Sequence, residues 1–304
     1  KNRLTVAVLF GGRSVEHEVS IITAQQIIAA LPQDKYETLP VYIDKEGRWY
    51  TGKALTNVAA FTDPDCLLRQ AMPISLDLDR GSRLLSSRKR LWWGRPLWSR
   101  RIDVALPAGH GAFLEDGCLQ GALELAGIPY VGPGILSAAV GLDKIVLKAV
   151  LKEAGLPVLD YYTCTAADWR KDEHLVVAEI EQTLGASYPL VVKPANLGSS
   201  IGIAVAENRE ALYQRIGEAL VYSHRLLVEP LLESCREINC AVLGDAETVC
   251  WSACEEPLSV GEILSFEDKY LSAAKGAGQG RHRLPAELDK ATEQRLQRYA
   301  AEAF

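Results

Sequence analysis

Leu4 to Phe10 reads LTVAVLF, an unbroken apolar run. A strand looks like this when both of its faces are covered. Gly11 and Gly12 break the run, and Ser14 is placed to cap a helix that carries Glu16 and Glu18 in its first turn and IITAQQIIAAL in its body. Strand, glycine turn and helix predict the opening of a doubly wound α/β domain. A second strand is predicted at Tyr36 to Ile43, closed by the turn Asp44 to Gly47, and a further one at Ile102 to Leu106. A short helix over Gln120 to Ala126 and a strand over Ile128 to Val131 follow the loop Pro107 to Gly117. Gly132-Pro133-Gly134 reads as a hinge. Ser137 to Glu153 keeps one helical period until Gly155-Leu156-Pro157 stops it.

Beyond that stop the pattern changes. Tyr188 to Lys193 and Gly198 to Val205 read as two antiparallel strands joined by a Gly/Ser-rich loop. A helix over 207–221 comes next, then strands at Arg225 to Glu229, Glu237 to Leu243 and Glu247 to Ala253, and a final helix over 286–304. Three segments are expected: 1–132, 133–227 and 228–304.

The 304 residues are 48% hydrophobic and 24% charged, an ordinary globular balance. The net charge of −6 argues against nucleic acid or an anionic membrane as the main partner. Residues 80–101 stand apart: Arg80, Arg83, Arg88, Lys89, Arg90, Arg95, Arg100 and Arg101 alternate with Trp92, Trp93 and Trp98. Such a mixture can bind nucleic acid, but a surface β-hairpin is the favoured reading. Seven cysteines form no pair with metal spacing. Reduced thiols, and no run of about 20 apolar residues, lead to the expectation of a cytoplasmic protein without a membrane segment.

The strongest local signal is Lys193 with the loop Gly198 to Gly202. Glycines let backbone N–H groups approach phosphate oxygens closely, and a lysine ending an apolar strand needs either solvent or an anion. The alternative is a polar hairpin tip beside a snorkelling lysine. Lys144 lies within the helix expected from Ser137. Glu229 and Glu237 flank a turn between two strands, where carboxylates accept from a nucleotide's amino and hydroxyl groups or stand solvated. Glu16 in the first helical turn suits an ammonium ligand, and His110 occupies a loop beyond a strand's carboxyl end, where α/β folds bind ligands.

Taken in order, these segments resemble one family. GGRSVEHEVS at 11–20 is similar to the N-terminal signature of D-alanine–D-alanine ligases, and HGAFLEDGCLQG at 110–121 to their second. Ile128-Pro129-Tyr130-Val131-Gly132, Asp143-Lys144, Val192-Lys193-Pro194, Gly198-Ser199-Ser200-Ile201-Gly202, Arg236-Glu237-Ile238 and Asp268-Lys269-Tyr270 continue in the same order. The resemblance implies a fold of mixed α/β and α+β class. A Rossmann-like N-terminal domain would precede a two-lobed ATP-grasp domain that lacks its last strands. It implies ATP-dependent joining of two D-amino acids through an acyl phosphate, for a peptidoglycan precursor. ATP and Mg2+ are the implied cofactors and a homodimer the implied assembly.

By the same resemblance, Lys144 and Lys193 hold the α and β phosphates, helped by Gly198, Ser199 and Ser200. Glu229 meets the adenine amino group and Glu237 the ribose. Lys269 approaches the transferred phosphoryl group. Glu16 binds the ammonium of the first D-alanine, with His110 in the substrate pocket, and Glu16, Ser199 and Tyr270 form a triad that closes a loop over 264–283.

The metal ligands of the family are expected beyond Phe304, so residues 1–304 alone are expected not to ligate. The sequence also departs from the family in detail: Leu114 stands where glycine is usual, and one extra residue separates Glu229 from Glu237. A catalytically inactive ATP-binding relative, and a ligase that takes D-serine second, are the competing readings.

Overall fold

The computed structural model describes residues 3–79, 81–245, 247–258 and 282–304. Internal contacts divide the chain into two compact units, Lys1–Leu142 and Asp143–Phe304.

In the first unit β1 (Leu4–Gly11) pairs in parallel with β2 (Tyr36–Ile43) and with β7 (Val104–Pro107). Five strands in all lie to the β2 side, so β1 is next to the edge strand β7. From β2 outward, β3 (Trp49–Thr51), β4 (Met72–Leu76), β5 (Leu84–Ser87) and β6 (Ser99–Arg101) extend the sheet with antiparallel neighbours. The apolar run of β1 is continuous because it is covered twice. Val6, Val8 and Phe10 pack with Ile21 and Ala24 of α1 (His17–Ala30). Ala7 and Leu9, pointing the other way, pack with Leu119 and Leu123 of α3 (Cys118–Leu125). Each such large side chain contributes roughly 1.5–3 kcal/mol when fully buried. The first unit also holds α2 (Pro64–Gln70) and α4 (Ile135–Leu142).

Three expectations are corrected here. The first helix starts at His17 rather than just after Ser14. Glu16 is its N-cap residue, and the Ser14 hydroxyl instead accepts from Glu16 N–H at 3.0 Å in the preceding turn. Ile128 to Val131 contributes one bridge, Ala105 with Tyr130, not a strand. Pro129 has no N–H to give a ladder. The single helix expected over Ser137 to Glu153 is two, α4 and α5 (Lys144–Glu153), separated by Asp143 in extended conformation.

In the second unit β8 (Tyr162–Thr165), β9 (Leu190–Pro194), β10 (Ala204–Ala206) and β11 (Arg225–Pro230) form an antiparallel sheet in the order β10-β9-β11-β8. The expected pairing on either side of the Gly/Ser loop is present, with Ala204 opposite Val192 and Ala206 opposite Leu190. α6 (Ala166–Lys171) opens with a capping box at Thr165 and Asp168, and α7 (Glu173–Leu184) follows it. Val177 and Ile180 of α7 and Leu212 and Ile216 of α8 (Arg209–Ala219) cover Leu190, Val192, Leu226 and Val228 of the sheet. The two later strands are shorter than expected: β12 (Val242–Gly244) pairs with β13 (Val249–Trp251). β14 (Glu256–Pro257) pairs with β15 (His282–Arg283), and Asp289 caps α9 (Lys290–Ala303).

Candidate functional site

In the first unit the site is built at the carboxyl end of β1. Gly11 and Gly12 have φ of 90° and 94°. A Cβ at Gly11 would lie 2.2 Å from the Ile43 carbonyl oxygen, and one at Gly12 would lie 2.5 Å from Leu114 Cδ1. Gly11 is therefore required by both its backbone conformation and the fixed carbonyl beside it, and Gly12 by its backbone conformation. Gly11 N–H donates to Ser20 Oγ at 2.8 Å, and that hydroxyl donates to the Ala108 carbonyl at 2.9 Å. This stitches the β1 turn to the loop after β7.

Glu16 and His17 separate into two roles. His17 is 3% exposed, its Nδ1 2.6 Å from the Gly12 carbonyl and its Nε2 3.0 Å from the Tyr42 hydroxyl. A carbonyl only accepts, so Nδ1 carries a proton and donates to it, while Nε2 and the Tyr42 hydroxyl share the second hydrogen bond. His17 is thus a structural residue of the glycine turn. Glu16 is also 3% exposed. Its Oε2, with Ser14 Oγ, occupies the space beside Gly111: a Cβ there would lie 2.5 Å from the first and 2.3 Å from the second.

The loop after β7 is clamped to α1 from several sides. His110 Nε2 meets Thr23 Oγ1 at 2.9 Å. Gly111 N–H donates to Glu115 Oε2 at 2.6 Å, while His110 Nδ1 stands 3.7 Å from Glu115 Oε1. Burial would raise the Glu115 carboxyl, but the His110 imidazole and the Gly111 N–H outweigh it and hold that group below its ordinary value. Leu114, in the family's glycine position, is 2% exposed and packs over Gly12 and Gly109. Thr23 and Glu115 escape the sequence reading. Thr23 lies seven positions after Glu16, two turns along the same helix face, and that spacing is its signal.

The second unit gathers the cations. Asp143 caps α5 by accepting from Ile145 and Val146 N–H at 3.1 and 3.0 Å, and its Oδ2 pairs with Arg225 at 2.6 Å. Lys144 N–H donates to the Ala195 carbonyl at 2.8 Å, and its ammonium donates to the Leu197 carbonyl just before the Gly/Ser loop. The start of α5 is thereby pinned to the β9–β10 connection. Within that connection Ser199, Ser200 and Gly202 have φ of 50°, 61° and 72°. A Cβ at Gly202 would meet Pro194 Cγ at 2.8 Å.

Lys193, on β9, pairs with Glu229 Oε1 on β11, and Lys148 on α5 pairs with Glu229 Oε2 at 2.6 Å. Glu229 is 5% exposed. Burial alone would push its carboxyl up, yet hydrogen bonds from Lys148 and Lys193 and their charges hold it below the ordinary value. Lys148 was not anticipated, although it lies one turn beyond Lys144 on the same face of α5.

The structure thus brings Lys144, Lys193, Glu229 and the 198–202 loop together in one unit, and Glu16 and His110 together in the other. Glu237 lies exposed between β11 and β12. Lys269, Tyr270 and the loop expected over 264–283 fall outside the described residues, apart from β15 at 282–283. Among the described residues no group of three or more His, Cys, Asp or Glu side chains could hold a metal ion.

A Gly/Ser hairpin flanked by lysines from both a sheet and a helix, in a chain that opens with a parallel-sheet unit, is the kind of arrangement a nucleotide-using enzyme carries. Residues 5–133 match the family described as D-ala D-ala ligase N-terminus, and residues 150–304 match D-ala D-ala ligase C-terminus. A D-alanine–D-alanine ligase of Thermosipho melanesiensis is 36% identical over 301 residues, which are 99% of this chain and 78% of that protein. The enzyme of the same name from Chloroherpeton thalassium is 36% identical, covering 100% of this chain and 80% of the relative. Among solved structures, the D-alanine–D-alanine ligase of Coxiella burnetii superposes with a TM-score of 0.77 at 30% identity, covering 99% of this chain and 77% of that one. The D-Ala:D-Ser ligase of Enterococcus faecalis also gives 0.77, at 28% identity, covering 99% and 82%. The chain belongs to the D-alanine–D-alanine ligase family and has its ATP-grasp fold.

Proposed function

We propose that this protein joins D-alanine to D-alanine with hydrolysis of ATP to ADP and phosphate, for a peptidoglycan precursor. A carboxylate is a poor electrophile. An oxygen of the first D-alanine carboxylate attacks the γ-phosphorus, and ADP leaves. The amine of the second D-alanine then attacks the acyl carbon, the C–O bond to phosphate breaks, and a proton is lost from nitrogen. The protein contributes mainly position and positive charge to the phosphoryl step.

The observation that carries the reading is the pinned start of α5, which holds the Lys144 ammonium on the carbonyl that precedes the Gly/Ser loop. In this reading Lys144 and Lys193 take the α and β phosphates, and the amides of Gly198, Ser199 and Ser200 close over them. Lys193 leaves Glu229 as the phosphates arrive, and the acceptor site it vacates takes the adenine amino group. Glu237 reaches the ribose, Lys269 the transferred phosphoryl group, and Glu16 the ammonium of the first D-alanine beside His110. Ser199 and Tyr270 act with Glu16 to close the site. Mg2+ accompanies the nucleotide. Among the described residues no group of three or more His, Cys, Asp or Glu side chains could hold it.

Residues 1–132 form the substrate domain, 133–227 the first nucleotide lobe and 228–304 belong to the second. The protein works in the cytoplasm, as a homodimer. Among the described residues no helix is long and apolar enough to cross a membrane.

The full gene product, given ATP, magnesium and D-alanine, should release ADP, phosphate and dipeptide in equal amounts. Nucleotide binding without dipeptide would reduce the protein to a binding module. D-Alanyl-D-serine as the main product from an equal mixture of the two amino acids would reassign the second substrate.

A further inference from the structure

The segment 80–102 carries eight Lys and Arg residues and no carboxylate; set against the chain's net −6, these eight leave all other residues at −14. The structure shows what shape that charge takes. β5 and β6 continue as a hairpin toward a tight tip, with Leu97 N–H donating to Lys89 at 3.1 Å and a bridge between Arg90 and Pro96. Leu91 N–H donates to the Arg95 carbonyl at 2.7 Å and Gly94 N–H to the Leu91 carbonyl at 2.9 Å, with Gly94 at φ 88°. This is a turn closed by a left-handed glycine, and it places Trp92 and Trp93 at its two central positions.

Trp92 is 92% exposed and Trp93 55%, with Leu97 beside them at 55%. Their indole rings meet edge to face, 5.3 Å apart at 81°. Lys89, Arg90 and Arg95 flank them along the hairpin, all exposed. Among the described residues Arg100, nearer the sheet, pairs with Glu37, while no carboxylate lies within ion-pair distance of Lys89, Arg90 or Arg95. Two indoles thus stand exposed at a cationic hairpin tip, packed edge to face on one another.

We propose that this tip docks the protein reversibly on an anionic lipid bilayer, with Trp92 and Trp93 at headgroup depth and Lys89, Arg90 and Arg95 against lipid phosphates. Indoles favour the membrane–water boundary, and juxtamembrane cations are drawn to anionic lipid. A bilayer is a deformable surface that a hairpin tip can enter. A long polyanion fits less well. It would run from the tip onto a body of net negative charge, and edge-to-face indoles offer no parallel platform for successive bases. Two copies meeting tip to tip would set like charges together. The chain-wide charge argues against a membrane partner, but the hairpin has the opposite sign, and docking on a surface needs no spanning segment.

The test is flotation of the full chain with vesicles of phosphatidylcholine alone, and of phosphatidylcholine with roughly one-third phosphatidylglycerol. Binding should be about tenfold or more stronger on the anionic vesicles and should weaken as salt is raised. Arg90→Ala with Arg95→Ala should cost about fivefold per cation removed. Trp92→Ser with Trp93→Ser should abolish both vesicle binding and the blue shift of tryptophan emission that accompanies it, while far-UV circular dichroism stays as in the parent. Equal partition onto neutral and anionic vesicles, no partition, or retention by the double tryptophan variant would overturn the proposal. So would a short single-stranded oligonucleotide that displaces the protein from vesicles, or a dimer that dissociates in the tryptophan variant.

Discussion

At the scale of single residues, the most demanding position in the first unit is Gly111. It combines a left-handed φ of 75° with side-chain oxygens of Ser14 and Glu16 where a Cβ would sit. Gly111→Ala should therefore lower stability by about 2 kcal/mol or more, from backbone strain plus displacement of Glu16. Urea unfolding measures the first effect, and the KM for the first D-alanine measures the second. A variant that matches the parent in both would remove Gly111 from the site. In the second unit Glu229 is the residue to titrate. Its carboxyl is held below its usual 4.5, so its contribution is fully present above that pH and is lost as pH falls through the lowered value. Glu229→Gln should melt at lower temperature than the parent near neutrality, and the gap should narrow as pH drops below the usual carboxylate range. A gap that is constant with pH would show that the carboxylate charge is not what Lys148 and Lys193 stabilise. The residue type explains why Glu16, Lys193 and Glu229 were legible from the sequence: each is a charge at the end of an apolar element. Lys148 and Thr23 were not, because a lysine or threonine on a helix face looks solvated until its neighbour across the fold is known.

At the scale of elements, the β1–glycine–α1 opening and the β9–loop–β10 hairpin were legible because each is fixed locally. A two-sided apolar run, positive-φ glycines and a change of period all lie within a few residues of one another. The break between α4 and α5 was not. Leu142-Asp143-Lys144-Ile145 keeps a helical period across it, and the interruption is decided by partners far along the chain, Arg225 for Asp143 and the Ala195 carbonyl for Lys144. Asp143 is then a positioning residue for Lys144. Asp143→Ala removes both the cap and the ion pair, and loss of the cap alone costs about 1 kcal/mol. Its larger effect should be on nucleotide affinity, because the Lys144 ammonium loses its fixed approach to Leu197. Asp143→Asn keeps the capping oxygen and should restore most of the stability while restoring affinity only in part. Calorimetric titration with a non-hydrolysable ATP analogue reads the affinity, and thermal melting reads the cap. Equal nucleotide affinity in the parent and both variants would separate Asp143 from phosphate binding.

At the scale of the whole molecule, the proposed chemistry assigns its two ligand classes to different units, and each unit buries its own core. The amino-acid side rests on the β1 turn and the 109–116 loop. The nucleotide side rests on α5, the Gly/Ser loop and β11. Binding to a native state stabilises it by mass action, by about 2.7 kcal/mol at a hundred times Kd, and the protection appears first in the segments that make the contacts. Hydrogen exchange should therefore respond in two separable patterns. A non-hydrolysable ATP analogue should slow exchange over 143–148, 195–204 and 225–230, where Lys144, the loop and Glu229 reside. D-Alanine alone should slow it over 11–17 and 109–116. The strand pair at 242–251 should change little with either ligand, since no proposed contact falls there. If the nucleotide protected the glycine turn at 11–12 before the loop at 198–202, the phosphates would be bound at the first helix instead. Lys144 and Lys193 would then be structural partners of Leu197 and Glu229 and nothing more.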